Sequence, residues 1–245
     1  MFNPENLESI VVSKDNQYYN SGENSNALID SKNNTLLLGC KNTQIPDGVT
    51  SIGNYAFYEC TELATVNIPD GVTSIGDYAF YDCSTITSML LPNSVVAIGK
   101  YAFRGCSNLT TINVPSGVTT INEATFSKDS SLTSIVLPEA VTSIGDYAFY
   151  ECTELATVTL PNSLKKIESE AFYACSKLTS IVLPRGVTSI GTKAFSKSKL
   201  DTLSLSSWVE VEAEGNLGLS TKVTIYIPCG LIDAYQADEY WKKFP

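Results

Sequence analysis

The sequence predicts an α/β repeat solenoid, a single stack of coils with one parallel sheet on one side and short helical turns on the other. Three features of the sequence carry this expectation. Isoleucines recur every 23 residues at Ile52, Ile75, Ile98, Ile121, Ile144, Ile167 and Ile190, and five residues after each stands a phenylalanine, from Phe57 to Phe195. An apolar triplet at L-x-x-I-x-L spacing follows each Phe, as in Leu132, Ile135 and Leu137. Proline then closes the unit at Pro69, Pro92, Pro115, Pro138, Pro161 and Pro184. Self-similarity at such a period marks a stacked array, because one coil alone cannot bury its apolar face.

Residues 1–44 read as a partial first coil followed by an insert. Leu7, Ile10 and Val12 copy the strand triplet, with Phe2 five residues before Leu7. Val12 and Ile45 hold equivalent strand positions 33 apart, so ten residues are extra. The apolar runs Ala27-Leu28-Ile29 and Leu36-Leu37-Leu38, on either side of Asp30 to Asn34, predict a hairpin there. Residues 45–206 hold the 23-residue repeats. In each, the last two apolar residues of the triplet sit two apart, as a strand with one buried face requires. Proline ends the strand because it has no N–H for the ladder, and Pro69-Asp70-Gly71 suits a turn with Pro second. The stretch Tyr78 to Cys83 suits a helical turn capped by Asp77. Residues 207–245 read as a last coil, with Ile225, Ile227 and Pro228, and a helical cap over Leu231–Phe244. The whole chain is then one domain of about nine coils, a rod or arc of order 40 Å at the ~4.8 Å strand spacing.

The full unit I-G-x-x-A-F-x-x-C-x-x-L-x-x-I-x-L-P-x-x-V closely resembles the BspA-like, Treponema-type leucine-rich repeat. Ile75-Gly76-Asp77-Tyr78-Ala79-Phe80-Tyr81-Asp82-Cys83 and the stretch from Ile144 to Pro161 carry the match, which extends over about residues 45–205. The resemblance implies a leucine-rich-repeat right-handed solenoid. It also implies a cell-surface or secreted protein of anaerobic bacteria that adheres to or binds host proteins. No signal peptide is visible in this chain, and its start inside a coil suggests part of a longer protein.

Composition excludes several classes of function. No histidine occurs, which removes Ser-His-Asp and Cys-His catalysis and most zinc or iron sites. A net charge of -10 argues against nucleic acid and anionic membrane as partners, and no apolar run is long enough for membrane insertion. Cys60, Cys83, Cys106, Cys152 and Cys175 share one repeat position and point the same way, which suits a buried spacer better than disulfides or metal ligation. Glu59, Glu62, Asp82, Asp146, Glu151 and Glu154 fall at positions where Lys also occurs, so they read as solvated surface rather than an acid–base pair. No catalytic residue, metal ligand or cofactor is expected, and the chain is not expected to be an enzyme.

Two surfaces remain as binding candidates. The helical edge is rich in tyrosine, including Tyr58, Tyr81 and Tyr150, and reads as half-buried packing between coils. The strand face presents two uncharged rows, and the second holds the candidate binding residues Leu90, Asn113, Val136, Thr159 and Val182. Apolar side chains there alternate with Asn and Thr that can bond a partner's backbone. That face is expected to hold no exposed aromatic residue. The expected function is non-enzymatic recognition of a host or bacterial surface protein by a monomer, through the open sheet. A glycan-binding module and a structural spacer are the alternatives. The Ile121 unit, with Asn122 for Gly, Thr125 for Ala and Asp129 for Cys, is expected to be the weakest coil, through an unpaired Thr125 hydroxyl.

Overall fold

A computed structural model describes residues 7–23, 25–206 and 211–244. Seven complete coils stack in register, one period apart: Ile52 pairs with Ile75, Ile144 with Ile167, and Ile135 with Val158. Two parallel ladders run along the stack, where the sequence predicts one sheet. The expected ladder comprises Ser88–Met89, Thr111–Ile112, Ser134–Val136, Thr157–Thr159, Ser180–Leu183, Thr202–Leu205 and Thr224–Tyr226. A second is made by Ser51–Ile52, Ser74–Ile75, Ala97–Ile98, Thr120–Ile121, Ser143–Ile144, Lys166–Ile167 and Ser189–Ile190, continued by Glu212–Ala213. A dipeptide is too short to show alternation in sequence. In a stack, however, each contributes one rung with a buried Ile, and repetition builds the ladder.

The segment predicted as a helical turn is not helical. Ala56, Tyr58 and Cys60 donate their N–H groups back within the turn, to the Gly53, Tyr55 and Phe57 carbonyls. The alternating residues Tyr55, Phe57 and Glu59 donate to the next coil instead, to Asp77, Ala79 and Tyr81 at 2.9, 2.7 and 2.7 Å. An α-helix would keep all of these bonds within itself; here half of them join coils as a third line of hydrogen bonds. Asp77 does not cap its own turn, for its carboxylate accepts the Lys100 N–H of the next coil. This backbone needs two left-handed residues per coil, such as Tyr78 and Asp82 at φ 57° and 53°. Each costs about 1–2 kcal/mol for a side-chain-bearing residue, and the inter-coil bonds and ring stacking offset it. The proline turn also differs: Val72 N–H bonds the Pro69 carbonyl, so Pro is the first residue, not the second.

Inside the stack the phenylalanines form one column. Phe57 through Phe195 are fully buried, with neighbouring rings 5.0–5.7 Å apart and nearly parallel. Beside the column, the thiols of Cys83, Cys106, Cys152 and Cys175 donate to the Phe57, Phe80, Phe126 and Phe149 carbonyls at 2.9–3.2 Å. The cysteine row therefore fills space and also satisfies a carbonyl. Burial pushes the Cys175 thiol up to about 12 and those of Cys83, Cys106 and Cys152 well above their ordinary value.

Both ends of the stack are closed. At the N-terminal end Leu28–Asp30 pairs antiparallel with Thr35–Leu38, and Thr35–Leu38 then lies parallel to Ser51–Ile52 as the outer rung. Gly39 lies flat on the Phe57 ring, where any Cβ would come within 2.1 Å of it. Residues 7–12 form no strand, and Val11 is 84% exposed, so the expected first strand is absent; Phe2 lies outside the described residues. With only the end of the stack beside them, these residues lack the two flanking coils that hold every inner strand. At the C-terminal end the helix Ile232–Ala237 and the turn Trp241–Lys243 cover the last coil. Trp241 Nε1 donates to the Val211 carbonyl, while the Tyr235 and Tyr240 hydroxyls accept the Val211 and Leu217 N–H groups. Side chains thus replace the next coil's backbone.

The Ile121 coil interrupts this order. The Ser-Ile ladder breaks between Ala97–Ile98 and Thr120–Ile121. Elsewhere Gly76, Gly99, Gly145 and Gly191 donate their N–H to the Ile carbonyl of the preceding coil, but here the Asn122 side chain Nδ2 does so at 2.6 Å. Thr125 is not unpaired, because its hydroxyl donates to the Asn122 carbonyl at 3.0 Å. The orphan in this coil is Asp129, which is fully buried with no partner for either carboxyl oxygen.

Candidate functional site: the strand face

The strand face owes its character to the period of two along each strand. Ile135 and Ile181 turn inward and are buried, so Val136 and Val182, the next residues, turn outward. Leu90, Val136 and Val182 are 78%, 64% and 61% exposed, which is high for apolar side chains on strands. The same row continues through Ser204 to Tyr226, 59% exposed, because Val182 pairs with Ser204 and Ser204 with Tyr226. An aromatic residue therefore does stand on this face. It was legible in the sequence as the residue between Ile225 and Ile227 in the last strand.

The face is not one continuous sheet. Its ladder is interrupted between Thr111–Ile112 and Ser134–Val136, and again between Thr157–Thr159 and Ser180–Leu183. A shallow groove lies at each interruption. One, of about 630 Å³, is lined by Leu90, Asn113, Val136 and Pro138 among others; the second, of about 500 Å³, by Thr159, Val182, Asn162, Pro184 and Arg185. The five candidate residues thus fall into two groups rather than one. Asn113 is engaged within the protein: its side chain accepts the Leu91 N–H at 2.7 Å and donates to the Leu91 carbonyl at 2.8 Å, substituting for a strand neighbour. Thr159 is exposed on its strand, with its backbone paired to Val136. Sequence reasoning missed Arg185, although it is the one basic residue in the row Asp70, Asn93, Ser116, Glu139, Asn162 and Arg185 that follows the prolines.

The opposite edge carries stacked tyrosines. Tyr55, Tyr78 and Tyr101 form one row and Tyr58 with Tyr81 a second, at 4.7–4.9 Å between ring centres. Arg104 donates to the Tyr81 hydroxyl and lies 5.1 Å over its ring. The hydrogen bond from Tyr101 to Glu123, then burial, push the Tyr101 hydroxyl up to about 12. These rings pack between coils. Of the carboxylates read as solvated, Glu62 lies 2.7 Å from Lys41, Asp146 accepts the Ser169 N–H of the next coil at 3.0 Å, and burial raises the Asp82 carboxyl above its ordinary value. Among the described residues no His, Cys, Asp and Glu side chains converge in the number a metal ion needs.

Stacked coils, an inner phenylalanine column and an uncharged strand face define a leucine-rich-repeat scaffold of the kind that displays a surface rather than enclosing a reaction. The chain belongs to the BspA-type leucine-rich-repeat family, whose repeat matches in six copies over residues 34–132 and 119–231. A leucine-rich repeat protein from Eubacterium ventriosum is 32% identical with a TM-score of 0.74, over 80% of this chain and 54% of that one. A leucine rich cell surface protein from Faecalibacterium prausnitzii is 31% identical with a TM-score of 0.65, over 80% and 56%. The T. pallidum leucine-rich repeat protein is 28% identical with a TM-score of 0.61, over 72% and 87%. The chain spans about half the length of the first two. No curated protein matches it. Among the described residues no helix is long and apolar enough to cross a membrane.

Proposed function

We propose that the chain is a non-enzymatic recognition module, carried at the cell surface or secreted, that binds a host or bacterial surface protein across its strand face. The observation that supports this is the exposure of Leu90, Val136 and Val182 along one uncharged row. Each such side chain contributes about 1.5–3 kcal/mol when a partner covers it, and the row itself adds no charge to strip of water, while Arg185 lines the groove beside Val182. The Faecalibacterium relative, described as a cell surface protein, supports the location. A net charge of -10 opposes self-association and favours a monomer. Tyr226 supports a second reading, a glycan-binding module, since an exposed ring can stack on a sugar face.

The test places a photo-reactive residue at Val136 and identifies what it cross-links at the surface of bacterial and host cells. Purified partner should then bind the parent and fail to bind a Leu90→Ser, Val136→Ser, Val182→Ser variant of unchanged circular dichroism. Tyr58→Ser, Tyr81→Ser and Tyr150→Ser together should leave binding intact. Loss of binding in the tyrosine variant alone would move the site to the other edge. Binding to a glycan panel that disappears in Tyr226→Ala would favour the second reading, and no binding at all would leave a spacer.

A further inference from the structure

The tyrosine edge lacks a rung. At the Ile121 coil the first row loses its ring to Ala124, and the second row, which already carries Arg104 in place of a ring one coil earlier, has Ser127. The coil has not closed up in response, for Phe103, Phe126 and Phe149 inside the same three coils still stack at 5.7 and 5.5 Å. Tyr101 and Tyr147 therefore stand two rungs apart, roughly 10 Å, or twice the strand spacing. Between them is a shallow slot of about 490 Å³ lined by Tyr101, Arg104, Tyr147 and Tyr150, beneath which Ala124 and Ser127 are buried.

We propose that this slot binds one aromatic side chain presented by a polypeptide partner. The rungs elsewhere set the fit. Tyr78 and Tyr101 lie 4.7 Å apart with planes 3° from parallel, so one rung of the ladder is one flat ring in contact with its neighbours. A missing rung leaves room for one such ring, with carbon contacts of about 3.5–4 Å on either side. A puckered sugar ring lacks the two flat faces that such a stack contacts. Arg104 takes the ring's place in the second row and rests on Tyr81, which directs its other face toward the Ser127 level for a cation–π contact. Lys128, Glu151 and Glu170 at the rim are of both signs, so the slot selects for planarity and not for charge. This site is separate from the strand face and does not depend on it.

N-acetyl-tyrosinamide and N-acetyl-tryptophanamide are the probes, titrated into the protein by NMR. Their ring protons should move upfield and saturate, while N-acetyl-leucinamide and methyl glucoside should not respond. Ala124 has φ 50°, against 58° at Tyr101, so Ala124→Tyr restores the rung on the same backbone. That variant should keep the parent's circular dichroism and bind the aromatic amides at least ~tenfold more weakly. The Leu90→Ser, Val136→Ser, Val182→Ser variant should bind them as the parent does, whatever becomes of the strand-face partner. The proposal is overturned if leucinamide or the glucoside shifts as much as tyrosinamide, if the filled variant binds as the parent does, or if the strand-face variant loses the amides.

Discussion

Asp129 stands where Cys83, Cys106, Cys152 and Cys175 stand in other coils. Those thiols each donate to a Phe carbonyl 26 positions back. By the same register Asp129 faces the Phe103 carbonyl, and only a protonated carboxyl has a hydrogen to give it. The Gly105 and Cys106 N–H groups beside it are already bonded to the Ser127 and Phe103 carbonyls. Burial first, and the nearby charge of Asp82, hold its pKa well above the ordinary 3.8. A raised folded pKa means that the folded protein keeps a proton which the unfolded chain releases above 3.8. The contribution of this group is therefore complete below 3.8 and declines as pH climbs toward the folded value. Replacing Asp129 by Cys should raise stability at pH 7 by about 1–3 kcal/mol. The gap between variant and parent melting curves should narrow as pH falls to about 4, near the unfolded carboxyl's pKa. Melting temperatures that differ by the same amount at both pH values would show that Asp129 does not carry this proton.

At the scale of single elements, the cap of the last coil is built from side chains that imitate a backbone. Trp241 is 3% exposed and bonds Val211 through its indole N–H. Trp241→Ala should cost about 3–5 kcal/mol, and Trp241→Phe, which removes the bond but keeps most of the ring, about 1 kcal/mol. Amide exchange should rise first in residues 211–226 and stay slow in 144–195; a uniform rise would mean that the cap does not act locally. Much of this organisation was legible in the sequence, because Phe, Ile, Cys and Pro mark every coil at fixed offsets. The Ser-Ile ladder escaped notice because two residues show no period. The turn was misread as helical because Tyr78 and Asp82 bear no mark of a left-handed backbone; of that row, Gly105 alone, at φ 79°, hints at it. The exposed row at Leu90, Val136 and Val182 could be read from alternation, whereas the engagement of Asn113 could not, since it depends on where the ladder is interrupted.

Across the whole molecule, three ladders and one ring column bind each coil to its neighbours, so resistance to opening is set by the junction with the fewest of these links. That junction is at Ile98 and Ile121, where the Ser-Ile ladder breaks and the buried Asp129 follows. Hydrogen exchange should be faster over residues 119–131 than over 142–154, and Asn122→Gly with Asp129→Cys should bring the two together. Equal protection in the parent would place the weak point elsewhere. The slot of the tyrosine edge opens in this same coil, so a ligand there would bridge the junction and slow exchange on both sides of it.

The near-constant register, 23 residues through most of the stack and 22 at its C-terminal strands, has one more consequence, for descent rather than for stability. Apart from the Ile121 coil, the inner coils offer nearly the same backbone atoms to the coil above as they receive from the coil below, so a whole unit can be copied or lost and the seam still closes. A single residue gained or lost has less freedom and is absorbed in a bend between ladders, as between Phe195 and Leu200, where Ser180 pairs with Thr202 at a step of 22 while Ser189 pairs with Glu212 at 23. Gain or loss of whole units is thus the tolerated route of change, and the reach of such a protein can lengthen or shorten while its cross-section stays fixed.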